Sequence, residues 1–373
     1  MEEDIDIILD LLKDKKFNQL KQAIAEMNSA DISIMLTELS TEDMIVVYRL
    51  LPKDEAAEVF AYMDAEIQEK LINSLTDKEL KEVINDLFLD DTVDLIEEMP
   101  SNVVKRILKN VSPKDRKEIN EFLNYPSDSA GSIMTNEFID LKENMTVEAA
   151  FEKIRKVGID KETIYTCYVL DMSRKLIGIV TAKDLLLSDK TRCIKDIMDT
   201  NIISVNTLED KEVVAKTFDK YDFIVLPVVD MENRLVGIIT IDDAIDVIQD
   251  ENTEDFALMA AITPTEDTYF RTSALTHAKN RILWLLILML SAAVTGAIIT
   301  NYENAFSAVP LLVAFIPMLM GTGGNCGSQS STMIIRGLAM EEIRLKDYGK
   351  ALWKEARISL IVGATLALVN GAR

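Results

Sequence analysis

The sequence holds one histidine and three cysteines in 373 residues. His277 stands at the edge of an apolar run, and no nucleophile and base pair stands out, which weighs against an enzyme. Cys167, Cys193 and Cys326 are too few and too far apart for a zinc site or a disulfide framework, so they read as free thiols in a reducing compartment. The opening MEEDIDIILD lacks the positive start and apolar core of a secretory signal, which leaves the front half in the cytosol. Basic charge is also scarce: 40 Lys and Arg stand against 63 Asp and Glu, a net charge of −23. Nucleic acid is therefore an unsuitable partner, because its phosphates demand a basic face.

The acids are unevenly placed. Residues 271–373 carry a balance of +5, so the first 270 carry −28. Such a front half suits cations, beside the plainer reading of a solubilising surface.

Long uncharged runs occur at 282–300 and 304–335, 19 and 32 residues long, and each reaches the length that spans a bilayer. Two membrane helices are expected there, and a third run, 358–372, reads as one cut short. Arg271, Lys279 and Arg281 precede the first run; Arg336, Arg344, Lys346, Lys350, Lys354 and Arg357 follow the second. Positive flanks stay inside, so the acidic half faces the cytosol and the link holding Glu303 faces out.

The first 125 residues read as short amphipathic helices in a loose repeat of about eleven to thirteen residues. Cap-like starts recur at Ser40, Thr76, Asp90, Ser101 and Ser112. Stacked helices follow from that, a scaffold or contact surface. Asp90, Asp91 and Asp94 fall within about one turn, either a metal cluster or acids favourably placed at a helix start.

Residues 130–250 contain a duplication. "IMTNEFIDLKENMTVEAAFEKI" matches "IMDTNIISVNTLEDKEVVAKTF" at an offset of 64, and "LDMSRKLIGIVTAKDLL" matches "VDMENRLVGIITIDDAI" at 59, so the first copy has five extra residues. Each copy reads helix, strand, strand, helix, an α/β pattern. The turns Gly178, Thr181, Asp184 and Gly237, Thr240, Asp243 resemble those of tandem cystathionine β-synthase (CBS) domains. That resemblance implies nucleotide binding at Thr181, Asp184 and Thr240, with ATP as a candidate ligand. Helix capping by the same residues is the alternative.

After the second copy, Asp243, Asp246 and Asp250 are three and four apart on one helix face, where they repel. Hard divalent cations with oxygen ligands would neutralise them, and Mg2+ needs only one or two carboxylates plus water. Farther on, "GTGGNCGSQSS" ends the second apolar run. It fails as a phosphate loop, since Cys326 stands where a third Gly belongs and no strand precedes it. Pro317 removes a helical donor, and the glycines permit close approach of another helix or a hydrated ion. Neutral oxygens can contact an ion without trapping it; a packing face between helices is the alternative.

The chain as a whole resembles the MgtE family of magnesium channels or transporters, by its order of parts and its "GTGGNxGxQS" motif. The resemblance implies an all-α N domain over 1–128, α/β CBS domains over 129–192 and 193–250, a connecting plug-helix end over 251–273 and an α-helical membrane domain over 274–373. It further implies a homodimer in the cell membrane, its N-terminal domains cytoplasmic, that passes Mg2+ and catalyses no chemistry. Regulatory Mg2+ would be held by Asp91, Asp94, Glu212, Asp222, Asp243, Asp246, Glu251, Glu254 and Asp255. Gly321, Gly324, Asn325, Gly327 and Ser328 would line the pore, although some relatives have Asn at the position of Ser328. The family's fourth and fifth membrane helices, the latter with a pore aspartate, have no counterpart, so the chain is expected to be a truncated member that forms no complete pore. Cytosolic Mg2+ would bridge the acids and close the dimer, and their repulsion would open it. The rival reading is a membrane-anchored CBS nucleotide sensor without transport.

Overall fold

The computed structural model describes residues 2–265, 269, 272–302, 307, 311–340 and 342–371. The chain divides between Val247 and Ile248 into two compact units. The expected contributions of Arg271 and of the Glu303 link lie outside the described residues.

The first unit opens with ten helices, Glu2–Lys13 to Pro113–Phe122. From Phe17 onward nine successive helices begin twelve residues apart, so the loose repeat of the sequence is a regular one. Helices two apart in the chain stack, Lys53–Ala61 on Asp77–Asp86 and the latter on Ser101–Asn110, as in a superhelix. The cap reading holds at Ser40, Thr76 and Ser112, whose hydroxyls accept from the backbone amides of Asp43, Glu79 and Asp115. It fails at Asp90 and Ser101. Helix Leu89–Glu98 is entered from Phe88, which places Asp90 one residue inside, and Ser101 follows the N-cap Pro100. Arg106 ties neighbouring helices, donating to Asp77 at 3.0 Å and to the carbonyls of Ile72 and Leu75.

Two three-stranded sheets follow. In the first, β1 (Ile139–Lys142) runs parallel to β2 (Thr166–Leu170), which pairs antiparallel with β3 (Leu176–Thr181). In the second, β4 (Val205–Asn206), β5 (Val225–Val229) and β6 (Leu235–Thr240) repeat the arrangement. Each copy thus has a short leading strand that the sequence pattern did not separate from its helix. The irregularity in pairing recurs at Val169/Leu170 and Val228/Val229, and the hairpin turns match: Arg174 and Asn233 both have positive φ, beside Asp171 and Asp230 that accept turn amides. The five extra residues of the first copy lie between helix Val147–Val157 and β2.

The copies are cross-laced. Thr135, in the lead-in of the first copy, bridges to Ile238 in the last strand of the second, and Asp199, in the lead-in of the second, bridges to Ile179 in the first. This crossing explains Gly237, whose added Cβ would stand 2.7 Å from the Thr135 carbonyl oxygen and 2.8 Å from Met134 Sδ. Methionine can swing aside, whereas a paired backbone cannot. Gly237→Ala should therefore destabilise residues 2–247 by about 1–3 kcal/mol, read as a lower urea midpoint. An unchanged midpoint would contradict the account.

Beyond β6 the helix Ile241–Met259 runs across the division between the units. The second unit holds Ala274–Asn301, Leu311–Ala339 and Tyr348–Gly371, of 28, 29 and 24 residues. Among the described residues one helix, Ala274–Asn301, is long and apolar enough to cross a membrane by length and composition. Leu311–Ala339 continues as a helix through Pro317 and the four glycines of 321–327, in keeping with the helix expected from the second apolar run. A neighbourless face tolerates Gly here because the intrahelical hydrogen bonds, rather than side-chain packing, set the path of the chain.

Candidate functional site

The densest charge in the first unit lies where the helical domain meets the CBS pair. Helix Leu89–Glu98 supplies Asp90, Asp91 and Asp94, and its buried face of Leu89, Val93, Leu95 and Ile96 fixes them against the core. Asp243 comes from the start of Ile241–Met259, where its carboxylate accepts from the Thr240 hydroxyl at 2.7 Å and the Thr240 amide at 3.3 Å. Glu162 comes from the five-residue insertion, whose position is set by its amide donating to the Glu137 carbonyl at 3.0 Å.

Burial, and then one another's charge, raises these carboxylates well above their ordinary range. Burial, then the charge of Asp91, pushes Asp90 up to about 7. Burial, then Asp243 and Asp242, carries Asp91 to about 6. Asp94 rises to about 8 through burial and then Asp90 and Asp243, although it stands at the exposed rim, where water screens part of that push. Glu162 reaches about 8 and Asp243 about 7, burial first and Asp90 next in both. Every charge named among the leading causes is negative. Like carboxylates crowded in this way are stabilised by a proton or a cation.

Oxygen donors of this kind suit a hard divalent ion. Among the described residues no three Asp, Glu, His or Cys side chains converge closely enough to hold a metal directly. The chemistry that fits is an ion that keeps part of its water shell, as Mg2+ does with one or two carboxylates.

Of the residues expected from sequence, the structure brings together Asp91, Asp94 and Asp243. Glu212 instead pairs with Lys216 at 2.7 Å, and Asp222 ends helix Lys211–Tyr221 with a left-handed φ of 53°. Asp246 shares the helix of Asp243, and Glu251, Glu254 and Asp255 lie on its continuation in the second unit. Asp90 is visible in the sequence only as a member of the Asp90, Asp91 and Asp94 cluster, and Glu137 and Glu162 were missed; the signal for Glu162 was the insertion itself.

Thr181 and Asp184 form a closed capping box, with the Thr181 hydroxyl donating to the carboxylate at 2.5 Å and accepting from the Asp184 amide. Thr240 is likewise committed to Asp243. The capping reading is thus realised fully in the first copy and by the Asp243 carboxylate alone in the second, and a ribose would have to displace or share these bonds.

In the second unit Gly321, Gly324, Asn325 and Ser328 are spaced three and four residues apart along one side of Leu311–Ala339, with Gly327 on the flank. A Cβ added at Gly321, Gly323, Gly324 or Gly327 would meet nothing within 4 Å. Asn325 and Ser328 are exposed, and Ser328, Gln329, Thr332 and Met333 line an open hollow of about 420 Å³. On the far side of the helix Ser330 donates to Glu355 at 2.7 Å.

Residues 27–128 match the MgtE intracellular N domain, 130–189 and 194–250 the CBS domain, and 316–373 a divalent cation transporter domain. The magnesium transporter MgtE of Thermus thermophilus is 35% identical over 99% of this chain and 83% of its own length. A solved soluble part of a magnesium transporter aligns with TM-score 0.63 and 30% identity over 67% of this chain and 99% of its own. The cytosolic domain of the Mg2+ channel MgtE, solved in complex with ATP, aligns with TM-score 0.61 and 35% identity, over 64% and 98%.

Proposed function

The chain belongs to the MgtE family, and from that premise we propose that it is a homodimeric Mg2+ channel or transporter subunit of the cell membrane, multi-pass and gated by Mg2+ in the cytosol. The observation that carries the reading is the meeting of carboxylates from the helical domain and the CBS pair, raised well above the usual carboxylate range by burial and by one another's charge. When cytosolic Mg2+ is plentiful, hydrated ions screen this repulsion and favour the packed arrangement; when it is scarce, the acids push the domains apart. Asp246, Glu251, Glu254 and Asp255 extend the acidic strip along the connector, and Glu212 and Asp222 offer a further pair on the second CBS domain. Moving a closed-to-open ratio from 1:99 to 99:1 needs about 5.5 kcal/mol of differential binding, which several weak sites can supply together.

Residues 321–328 supply the neutral oxygens and bare backbone of the ion path. ATP is a candidate second ligand of the CBS pair, at Thr181, Asp184 and Thr240, motivated by the ATP complex of the similar cytosolic domain. Calorimetric titration of residues 2–247 separates the two roles. Several Mg2+ sites in the millimolar range or tighter, accompanied by protection of the 130–247 region from protease, support the gate. ATP binding with no response to Mg2+ would favour the nucleotide sensor and sink the gating reading. Mg2+ flux into proteoliposomes of the full-length protein tests transport directly.

A further inference from the structure

We propose that Glu355 is a positioning residue for the ion path, a latch that fixes the rotation of helix Leu311–Ala339 through Ser330. This rests on the reading of 321–328 as one wall of the path. A carboxylate near a membrane segment is expensive unless it has a partner or a task. Glu355 lies just ahead of the apolar run that begins at Ile358, is half-buried, and accepts from the Ser330 hydroxyl at 2.7 Å, across 25 residues of chain. At 100° per residue Ser330 points about 160° away from Ser328, so the bond grips the back of the helix whose front carries Asn325 and Ser328.

Among the described residues, the side-chain contacts on this helix are otherwise few. The glycines that make the front of this helix open also remove the side chains that would otherwise interlock with a neighbour and set its rotation. Nearer the turn, Gly337 packs against Ile343, and the Ile343 amide donates to the Gly337 carbonyl at 2.8 Å, which joins the end of the helix to the following loop. Asp347 pairs with Lys350 at the start of Tyr348–Gly371. Those contacts hold the hairpin bend, whereas Ser330 to Glu355 is the side-chain bond that reaches across the hairpin higher up. A rotation of one residue's worth, about 100°, would carry Asn325 and Ser328 off the path altogether.

The task asked of Glu355 is to accept a hydrogen bond, not to carry charge, and this makes the idea testable by a conservative pair of variants. In proteoliposomes of the full-length protein, E355A and S330A should each lower Mg2+ flux by about threefold, equivalent to ~0.6 kcal/mol, with Ca2+ better tolerated relative to Mg2+. The double variant should be no worse than either single one. E355Q keeps the acceptor and should restore flux and selectivity. Equal damage from E355Q and E355A would overturn the latch, because it would mean that the charge itself is used; so would additive losses in the double variant.

Contact between the helices is read without transport. In a background with Cys167, Cys193 and Cys326 replaced by serine, S330C/E355C should be joined by a short bismaleimide in the membrane. Failure to crosslink would overturn the latch whatever the flux. Efficient crosslinking in a protein that passes no Mg2+ would instead leave the pairing intact and overturn the transport reading on which its role in the path depends.

Discussion

In metal-free buffer, residues 2–247 should lose stability steadily as the pH rises from about 4 to about 8, and millimolar Mg2+ should restore it. Asp90, Asp91, Asp94, Glu162 and Asp243 are held at about 7, 6, 8, 8 and 7, all above the range of a free carboxylate. A group whose folded pKa is raised is bound more tightly by its proton in the folded state. Its contribution is fully present below the unfolded value and is lost as the pH climbs through the folded one. The window therefore opens near the ordinary carboxylate range and closes at about 8. With allowance for screening at the exposed Asp94, the fall across this window is on the order of a few kcal/mol, or on the order of 10 °C in melting temperature. Thermal unfolding at a series of pH values, with EDTA and with Mg2+, measures it. The variant D90N/D94N/D243N removes most of the repulsion and leaves Asp91 and Glu162 to titrate, so its melting temperature should fall less steeply with pH than the parent's, be higher in EDTA at pH 8 and respond less to Mg2+. A parent protein that melts at the same temperature throughout this range would show that these acids are neither crowded nor gating.

The same group shows where reading the sequence reached its limit. The duplication, the Thr caps and the helical front domain were all legible, because each is local: a hydroxyl three residues ahead of a carboxylate, or an apolar residue at helical spacing. Thr181 with Asp184 and Thr76 with Glu79 form the capping boxes that such spacing implies. Asp90 misled for the same reason. Its neighbours make it look like a cap, yet the N-cap is Phe88, two residues earlier, and Asp90 is turned inward, where it becomes the acid that acts most strongly on Asp243. Glu162 had no local signature at all. It reaches the group because the first copy is five residues longer than the second, a difference visible in the sequence whose direction only the fold reveals. Asp94 and Asp243 lie far apart in the chain, and nothing in periodicity brings them together; the resemblance to a family did. In the membrane half, the helix expected through the glycines forms, because each Gly costs it only about 1 kcal/mol, too little to break a long apolar helix.

That modest cost makes Gly324 the sharpest probe of the ion path. Gly324→Leu should abolish Mg2+ flux, by tenfold or more, while leaving the helix at least as stable as before. Nothing among the described residues lies within 4 Å of a Cβ at this position, so a side chain can start there without a clash. Replacing Gly by Leu in a helix interior is favourable by roughly 0.5–1 kcal/mol, so helicity should be retained or slightly increased. A side chain that begins in open space and leaves the helix intact blocks transport most directly by filling space that belongs to the ion or to another copy of the protein. Leu at Gly296, a glycine in Ala274–Asn301 that is also open on all sides, is the control: the same gain in helix propensity, with flux expected to survive. Flux measured in proteoliposomes, alongside circular dichroism of the same preparations, decides the matter. If Gly324→Leu conducts like the parent, 321–328 is not the wall of the path. If it fails together with the Gly296 control, the loss reflects assembly of the membrane helices. Loss at Gly324 alone, with helicity intact, locates the path on the face that Asn325 and Ser328 share.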